Sequence, residues 1–233
     1  MRPTTPQAPR RARGLRFVAR TFVNAALALT ATFGLPGSSA AAEIDLSGTG
    51  TFNPPSAEQV ARLPADLAFS RSDLASGAWS FLVRYENRTS DADPDPYVGR
   101  YVSAIRVFRL MVGATTVDLP VERAELVVSD GGSSFPNRES IRFEASMPTP
   151  FGVMRVGWIQ HNQPPNWNDL RGKPGLLVSD ALPEPSVIAN FATWSPFDRF
   201  LLLRIDPPGG QSQPLLYISS SRVSVLASPA AFP

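Results

Sequence analysis

The stretch Trp79-Ser-Phe-Leu-Val-Arg-Tyr-Glu86 decides the fold of this chain. Its large apolar side chains recur at every second position, and Ser80, Arg84 and Glu86 occupy positions between them. Successive side chains of a β-strand point to opposite faces of its sheet, so this period of two predicts a half-buried strand. We therefore expect one face of the strand to line a hydrophobic core and the other to meet solvent.

Further short segments with strand character lie on both sides of this stretch. The chain contains 24 prolines and 16 glycines, which separate these segments and do not form a linker. Many short strands with such turns predict an all-β domain, an antiparallel β-sandwich of jelly-roll-like type. The predicted strands cover 105–112, 115–119, 124–129, 141–145, 153–160, 175–179 and 200–205, and 215–226 forms a long or bent final strand.

Helix signals are scarce. The best segment is Ser56–Leu63, in which Ser56 can cap the helix and Gln59 lies at the capping-box position. Pro64 ends it, so we expect at most one short helix near 56–63.

The N-terminal segment has the order of a secretory signal peptide. Six arginines and no acidic residue precede an apolar run over 22–35, and small residues follow at 38–42. The apolar run is shorter than the ~20 residues of a membrane span. We expect cleavage after Ala42 and one domain over 43–233, exported to the periplasm or the outside, with no membrane span in the mature chain.

The charge of the mature part differs from that of the whole chain. The full sequence carries a net charge of +2, whereas residues 43–233 hold 16 basic and 20 acidic side chains, a net charge of −4. Nucleic-acid binding requires a clustered basic face, so this charge argues against that class of partner. The chain has no cysteine, which excludes disulfides, thiolate nucleophiles and zinc–thiolate sites.

Three segments together suggest a family: Leu46–Phe52, Asp91–Tyr101 and Leu177–Pro183. In order and spacing the chain resembles a loose group of exported, uncharacterised bacterial β-sandwich proteins, many of which carry a C-terminal sorting tail of the PEP-CTERM type. The resemblance implies export and a sandwich fold, and it supplies no catalytic residue. The last residues, Ser228–Pro233, lack the apolar part of such a tail, so surface anchoring stays open.

An acidic loop is the sharpest local feature. Asp91, Asp93 and Asp95 alternate within five residues, and prolines at 94 and 96 stiffen the loop. Calcium prefers several oxygen ligands on such a loop, so the three carboxylates are a candidate structural Ca²⁺ site. The EF-hand pattern is absent, and the alternative interpretation is a solvated Asp/Pro turn.

A second candidate site lies in the polar segment 160–168. Trp167 stands between Asn166 and Asn168, and His161 is the only histidine. An aromatic ring can stack on a sugar while amide groups bond its hydroxyls, so these four residues are candidate ligands for a glycan. The strand pattern instead assigns Trp79 and Trp158 to the core.

No catalytic motif stands out. A Ser-His-Asp hydrolase would depend on His161, but the chain has no G-x-S-x-G elbow. The leading hypothesis is a non-catalytic structural or ligand-binding module that contacts a glycan or another cell-surface component. The alternatives are a carbohydrate-binding module and a glycoside hydrolase that acts through paired carboxylates. The oligomeric state stays open.

Overall fold

The computed structural model describes residues 42–134, 136–162, 177, 179–189, 199–209, 213–220 and 222–230. Within these residues, eleven strands form two antiparallel sheets that pack against each other around one hydrophobic core. The predicted all-β sandwich is therefore confirmed.

The smaller sheet has five strands. Their order is β11 (Arg222–Pro229), β1 (Glu43–Thr51), β2 (Ala78–Glu86), β4 (Ile105–Val112) and β5 (Thr115–Asp118). The larger sheet has six strands. Their order is β10 (Leu216–Ser220), β9 (Arg199–Asp206), β8 (Gly152–Asn162), β7 (Glu139–Thr149), β6 (Ala124–Asp130) and β3 (Val98–Tyr101).

The connections differ from those of a jelly roll. Strands β6 to β10 follow one another across the larger sheet as a meander, whereas a jelly roll is built from Greek keys. The segment 215–226, predicted as one strand, contains parts of two strands in different sheets. Strand β10 pairs with β9, and β11 pairs with β1, because the chain passes between sheets at this corner.

The side chains of strand β2 have the orientation that the period-two pattern predicts. Trp79, Phe81, Val83 and Tyr85 are buried, and the side chains between them are half-buried on the outer face. Trp158 on β8 is also fully buried, as predicted for a core tryptophan.

Two strands were not predicted from the sequence. Strand β1 has the composition Glu-Ile-Asp-Leu-Ser-Gly-Thr-Gly-Thr, and β3 has only four residues. Glycine is depleted in strands, so local propensity gives little signal for β1. Its place is fixed instead by pairing on both sides, with β2 and with β11.

The helices are short. Helix α1 (Ala57–Arg62) has the predicted capping box between Ser56 and Gln59. Helices α2 (Arg71–Ser76) and α3 (Pro185–Ala189) and a 3₁₀ turn at Val121–Arg123 lie outside the predicted segment, so the described residues form three short α-helices where at most one was expected.

Helix α2 is held by a buried carboxylate. Asp73 accepts hydrogen bonds from the Ala114 amide at 2.9 Å and from Thr115 Oγ1 at 2.7 Å, as well as from Ser70. The Ser70 and Thr115 hydroxyls hold the pKa of Asp73 well below its usual range. Within the described residues, no helix has the length and apolar character to cross a membrane.

Candidate functional site

The outer face of the larger sheet carries the candidate site. Strand register places five side chains in one row across β3, β6, β7, β8 and β9: Arg100, Val127, Arg142, Ile159 and Phe200. Above this row lies a cleft of about 640 Å³, here called the upper cleft.

The floor of the upper cleft is apolar. Val127 is only 7 % exposed, although its neighbours Leu126 and Val128 already point into the core between the sheets. Its outward side chain lies between Arg100 and Arg142 in the register. Arginine stems commonly cover apolar surface while the charged head stays in water, which explains how an outward valine becomes buried.

One carboxylate links the two arginines. Glu125 Oε2 lies 2.6 Å from Arg100 Nη1, and Glu125 Oε1 lies 3.7 Å from Arg142 Nη2. The charge of Glu125 raises the pKa of Arg100. Glu144 lies opposite Glu125 in the register and 3.5 Å from Arg142 Nε, so Arg142 offsets the repulsion of two opposed carboxylates.

The acidic loop forms part of the cleft wall. Asp91 Oδ1 accepts from the amides of Asp93 and Arg100 at 2.8 and 2.7 Å. Asp93 Oδ1 accepts from the Asp95 amide at 3.0 Å. Each of these two aspartates therefore fixes the turn that follows it, as in an Asx turn.

Asp95 joins two loops. Its Oδ2 atom accepts from the Ser133 amide at 3.0 Å and also from the Ser133 hydroxyl, while Oδ1 accepts from the Tyr97 amide at 3.0 Å. Among the described residues, no group of three or more acidic or histidine side chains is arranged to hold a metal ion. The geometry shows the turn role of all three aspartates, and calcium binding stays a hypothesis.

His161 lines the upper cleft. Its ring lies 5.9 Å from that of Phe200 at 77°, an edge-on contact, and Ser140 is its register partner on β7. The other three candidate glycan ligands, Asn166, Trp167 and Asn168, lie outside the described residues. The structure thus places one of the four sequence-predicted ligands in the cleft.

A second cleft lies further along the same strands. It has a volume of about 490 Å³ and is here called the lower cleft. The row of the lower cleft that lies next to the upper cleft contains Glu144, Gly157 and Leu202. The row beyond it contains Arg155 and Arg204. Both arginines contact Asp206, Arg155 at 3.2 Å.

A pair of carboxylates faces the interior instead. Asp130 and Glu139 are register partners at one end of the sandwich and are 7 % and 0 % exposed. Glu139 accepts from Asn162 Nδ2 at 2.8 Å and from the Leu177 amide at 3.0 Å, whereas Asp130 Oδ1 is buried without a hydrogen bond. Burial, together with the charges of Glu139 and Asp180, raises the pKa of Asp130 to about 6.

The arginines of the clefts were not predicted as functional residues. Arg100 and Arg142 are each the single arginine of their strand, and only the register of four strands brings them next to Val127 and Ile159. An apolar residue on the polar face of a strand is a weak signal of a binding site, and Phe200 was the example that the sequence offered.

No protein-family model matches the chain, and neither a curated protein nor a solved structure matches it.

Proposed function

We propose that this chain is an exported, non-catalytic β-sandwich that binds a ligand in the upper cleft. The observation that carries the proposal is the apolar floor of Val127, Ile159 and Phe200, set between arginines beneath a cleft of about 640 Å³. Ligand sites are typically clefts of about 300–1,000 Å³ with an apolar lining and a few placed polar groups.

The two outer faces of the sandwich differ in the clefts that they carry. Ion pairs lie on both faces, as between Arg84 and Asp45 at 2.7 Å on the smaller sheet and between Arg100 and Glu125 at 2.6 Å on the larger sheet. Both described clefts lie on the larger sheet. A purely structural sandwich has no need of a cleft with a buried apolar floor on one outer face.

The carboxylates of the upper cleft support binding over hydrolysis. Glycoside hydrolysis requires a carboxylic acid that can donate a proton beside a second carboxylate in the same cleft. Asp93 and Asp95 of the cleft wall are engaged with backbone amides, so they hold loop shape. The carboxyl groups of Asp130 and Asp180 have raised pKa values; Asp130 faces the core, and neither residue lines the upper cleft.

Export is supported by the order of charge, apolar run and small residues in the first 42 positions. An exported binding module would meet its ligand at the cell surface or in the periplasm. The absence of cysteine leaves the stability of such a module to its core.

A thermal-shift screen with a glycan and small-molecule library tests the proposal. A ligand that binds only the native state at a hundredfold excess over its Kd raises stability by about 2.7 kcal/mol. We expect at least one library member to raise the melting temperature of the unmutated protein and to bind about tenfold more weakly to Phe200→Ala. Leu82→Ala, on the outer face of the smaller sheet, is the matched control and should bind normally.

Two results would contradict the proposal. One is a library that leaves the melting temperature unchanged throughout. The other is a ligand whose affinity falls equally in Phe200→Ala and Leu82→Ala. Turnover of a bound glycan in a glycosidase assay would favour the hydrolase instead.

A further inference from the structure

The two clefts form one groove along the strands. The last row of the upper cleft contains Arg142, Ile159 and Phe200, and the first row of the lower cleft contains Glu144, Gly157 and Leu202. These rows are two residues apart on β7, β8 and β9. At ~3.4 Å per residue, the rows are only about 7 Å apart.

The combined groove is long. On β7 it extends from Ser140 in the upper cleft to Ser146 in the lower cleft, which corresponds to about 20 Å of strand. The two volumes are about 640 and 490 Å³. A groove of this length fits an extended chain better than one compact molecule.

The side chain of Glu144 covers the floor where the clefts meet. Gly157 lies between Glu144 and Leu202 in the register and presents no side chain to the groove. A Cβ atom at this position would lie 3.2 Å from Glu144 Cγ, a tight contact. The glycine therefore leaves room for the Glu144 side chain, which lies over it and presents a carboxylate between the two clefts.

The charges of the groove are nearly balanced. The upper cleft is lined by three arginines and two aspartates, and the lower cleft by three arginines and three glutamates, so the lining carries a net charge of +1. An anionic polymer would gain little from such a face.

Hydroxyl groups suit this lining better than anions do. A guanidinium offers five hydrogen-bond donors and a carboxylate about four acceptor positions, and one ion pair uses only part of each set. Glu125, which pairs with Arg100 and Arg142, keeps acceptor capacity beside their remaining donors. A hydroxyl both donates and accepts, so it can use both kinds of group at once.

Apolar surface accompanies these polar groups in both clefts. Ile159 and Phe200 lie in the upper cleft and Leu202 in the lower. Tyr217 is the register partner of Arg204 on β10, and its side chain is 50 % exposed. A pyranose ring has an apolar C–H face and a polar rim, so it matches a lining in which apolar and polar side chains lie side by side.

We propose that the ligand is a neutral polysaccharide that runs parallel to the strands and occupies both clefts. This inference rests on the proposed function and extends it from one cleft to the whole groove. The groove then recognises the hydroxyl groups of successive sugar units along the polysaccharide.

Isothermal titration with neutral hexose and pentose oligosaccharides of one to six units tests the inference. Uronate-containing oligosaccharides of the same lengths run in parallel at low and high salt. We expect the affinity for one neutral series to rise at least tenfold between two and six units. The uronate series should bind no more tightly at either salt concentration.

Variants of the lower cleft separate the two proposals. Leu202→Ala should weaken binding of the six-unit ligand about tenfold and leave the two-unit ligand unchanged, because the shorter ligand occupies the upper cleft. Gly157→Leu should give the same pattern by obstruction. Leu82→Ala serves as the control, and the melting temperature of each variant shows that it is folded.

The possible outcomes distinguish the two proposals. The neutral polysaccharide is overturned if the affinity of the upper cleft does not increase with chain length. It is also overturned if the cleft prefers uronates and this binding weakens with salt. In both cases the proposed binding function still holds. Equal loss for short and long ligands in Leu202→Ala also overturns it. If no saccharide binds while another library member does, the polysaccharide fails alone; if nothing binds, both proposals fail.

Discussion

The ring of Phe81 lies over the backbone of Gly48, its register partner on the neighbouring strand of the smaller sheet. A Cβ atom at position 48 would lie 2.3 Å from Phe81 Cε1, much closer than atoms can approach. The glycine thus makes room for an aromatic ring that also contacts Trp79 and Trp158 in the core.

Replacing this glycine should destabilise the sandwich. We expect Gly48→Ala to lower the free energy of unfolding by about 1–3 kcal/mol, because an overpacked core forces side chains out of their preferred rotamers. Denaturant unfolding measures the change. In a Phe81→Ala background the same substitution should cost almost nothing, and equal costs in both backgrounds would show that the ring is not the cause.

Asp130 should make stability depend on pH. Its pKa is about 6 in the folded chain against an ordinary value of 3.8, so between these values the folded state binds more protons than the unfolded state. The free energy of unfolding therefore falls as pH rises from about 4 to about 6. Thermal unfolding at several pH values measures this dependence.

Asp130→Asn removes the charge and should abolish that part of the pH dependence. We expect it to stabilise the protein at pH 7 by on the order of 1 kcal/mol, a figure discounted for solvent screening near the end of the sandwich. The exposed Asp66 provides the matched control, and Asp66→Asn should change little. A lower melting temperature for Asp130→Asn at pH 7 would contradict this account.

The acidic loop should be insensitive to calcium. Because the carboxylates of Asp91, Asp93 and Asp95 already accept hydrogen bonds from backbone amides, we expect melting curves with calcium and with a chelator to superimpose. Asp95→Ala should lower stability by about 0.5–1.5 kcal/mol in both conditions, since it removes the acceptor for the Ser133 and Tyr97 donors. A calcium-dependent shift that Asp93→Ala abolishes would restore the metal hypothesis.

The N-terminal segment should be removed on export. We expect N-terminal sequencing of the exported protein to start within a few residues of Glu43. Replacing Ala40 and Ala42 by bulky residues should block the cleavage, since the processing site requires small side chains there. Exported material that still begins at Met1 would contradict the prediction.

The sequence predicts the strands whose two faces differ strongly in polarity. Strand β4 begins at Ile105 and ends at Val112, as predicted, because its core positions are large and apolar. Strand β1 escapes prediction because serine, threonine and glycine fill five of its nine positions, and its stability comes from partners distant in the chain. Helix α2 escapes for a similar reason, since Asp73 bonds to residues some forty positions later.

The candidate site was predictable only at His161 and at Asp93 and Asp95 of the acidic loop. Recognition of the upper cleft requires knowing that Val127 lies beside both Arg100 and Arg142, which depends on the register of three strands. Register is set by packing and turn geometry across the whole sheet, so local pattern does not reveal it. The acidic loop was located correctly, but its role in joining two loops depends on Ser133, a residue distant in sequence.

The pairing of β1 with β11 has a consequence for the order of assembly. Thr51 pairs with Arg222, and Ser220 Oγ donates to the Thr51 carbonyl, across 169 positions of the chain. During synthesis β1 therefore has one open edge until the segment that contains β11 has emerged. The smaller sheet therefore lacks one edge strand until β11 has been synthesised, and the folding of this sheet cannot finish before then.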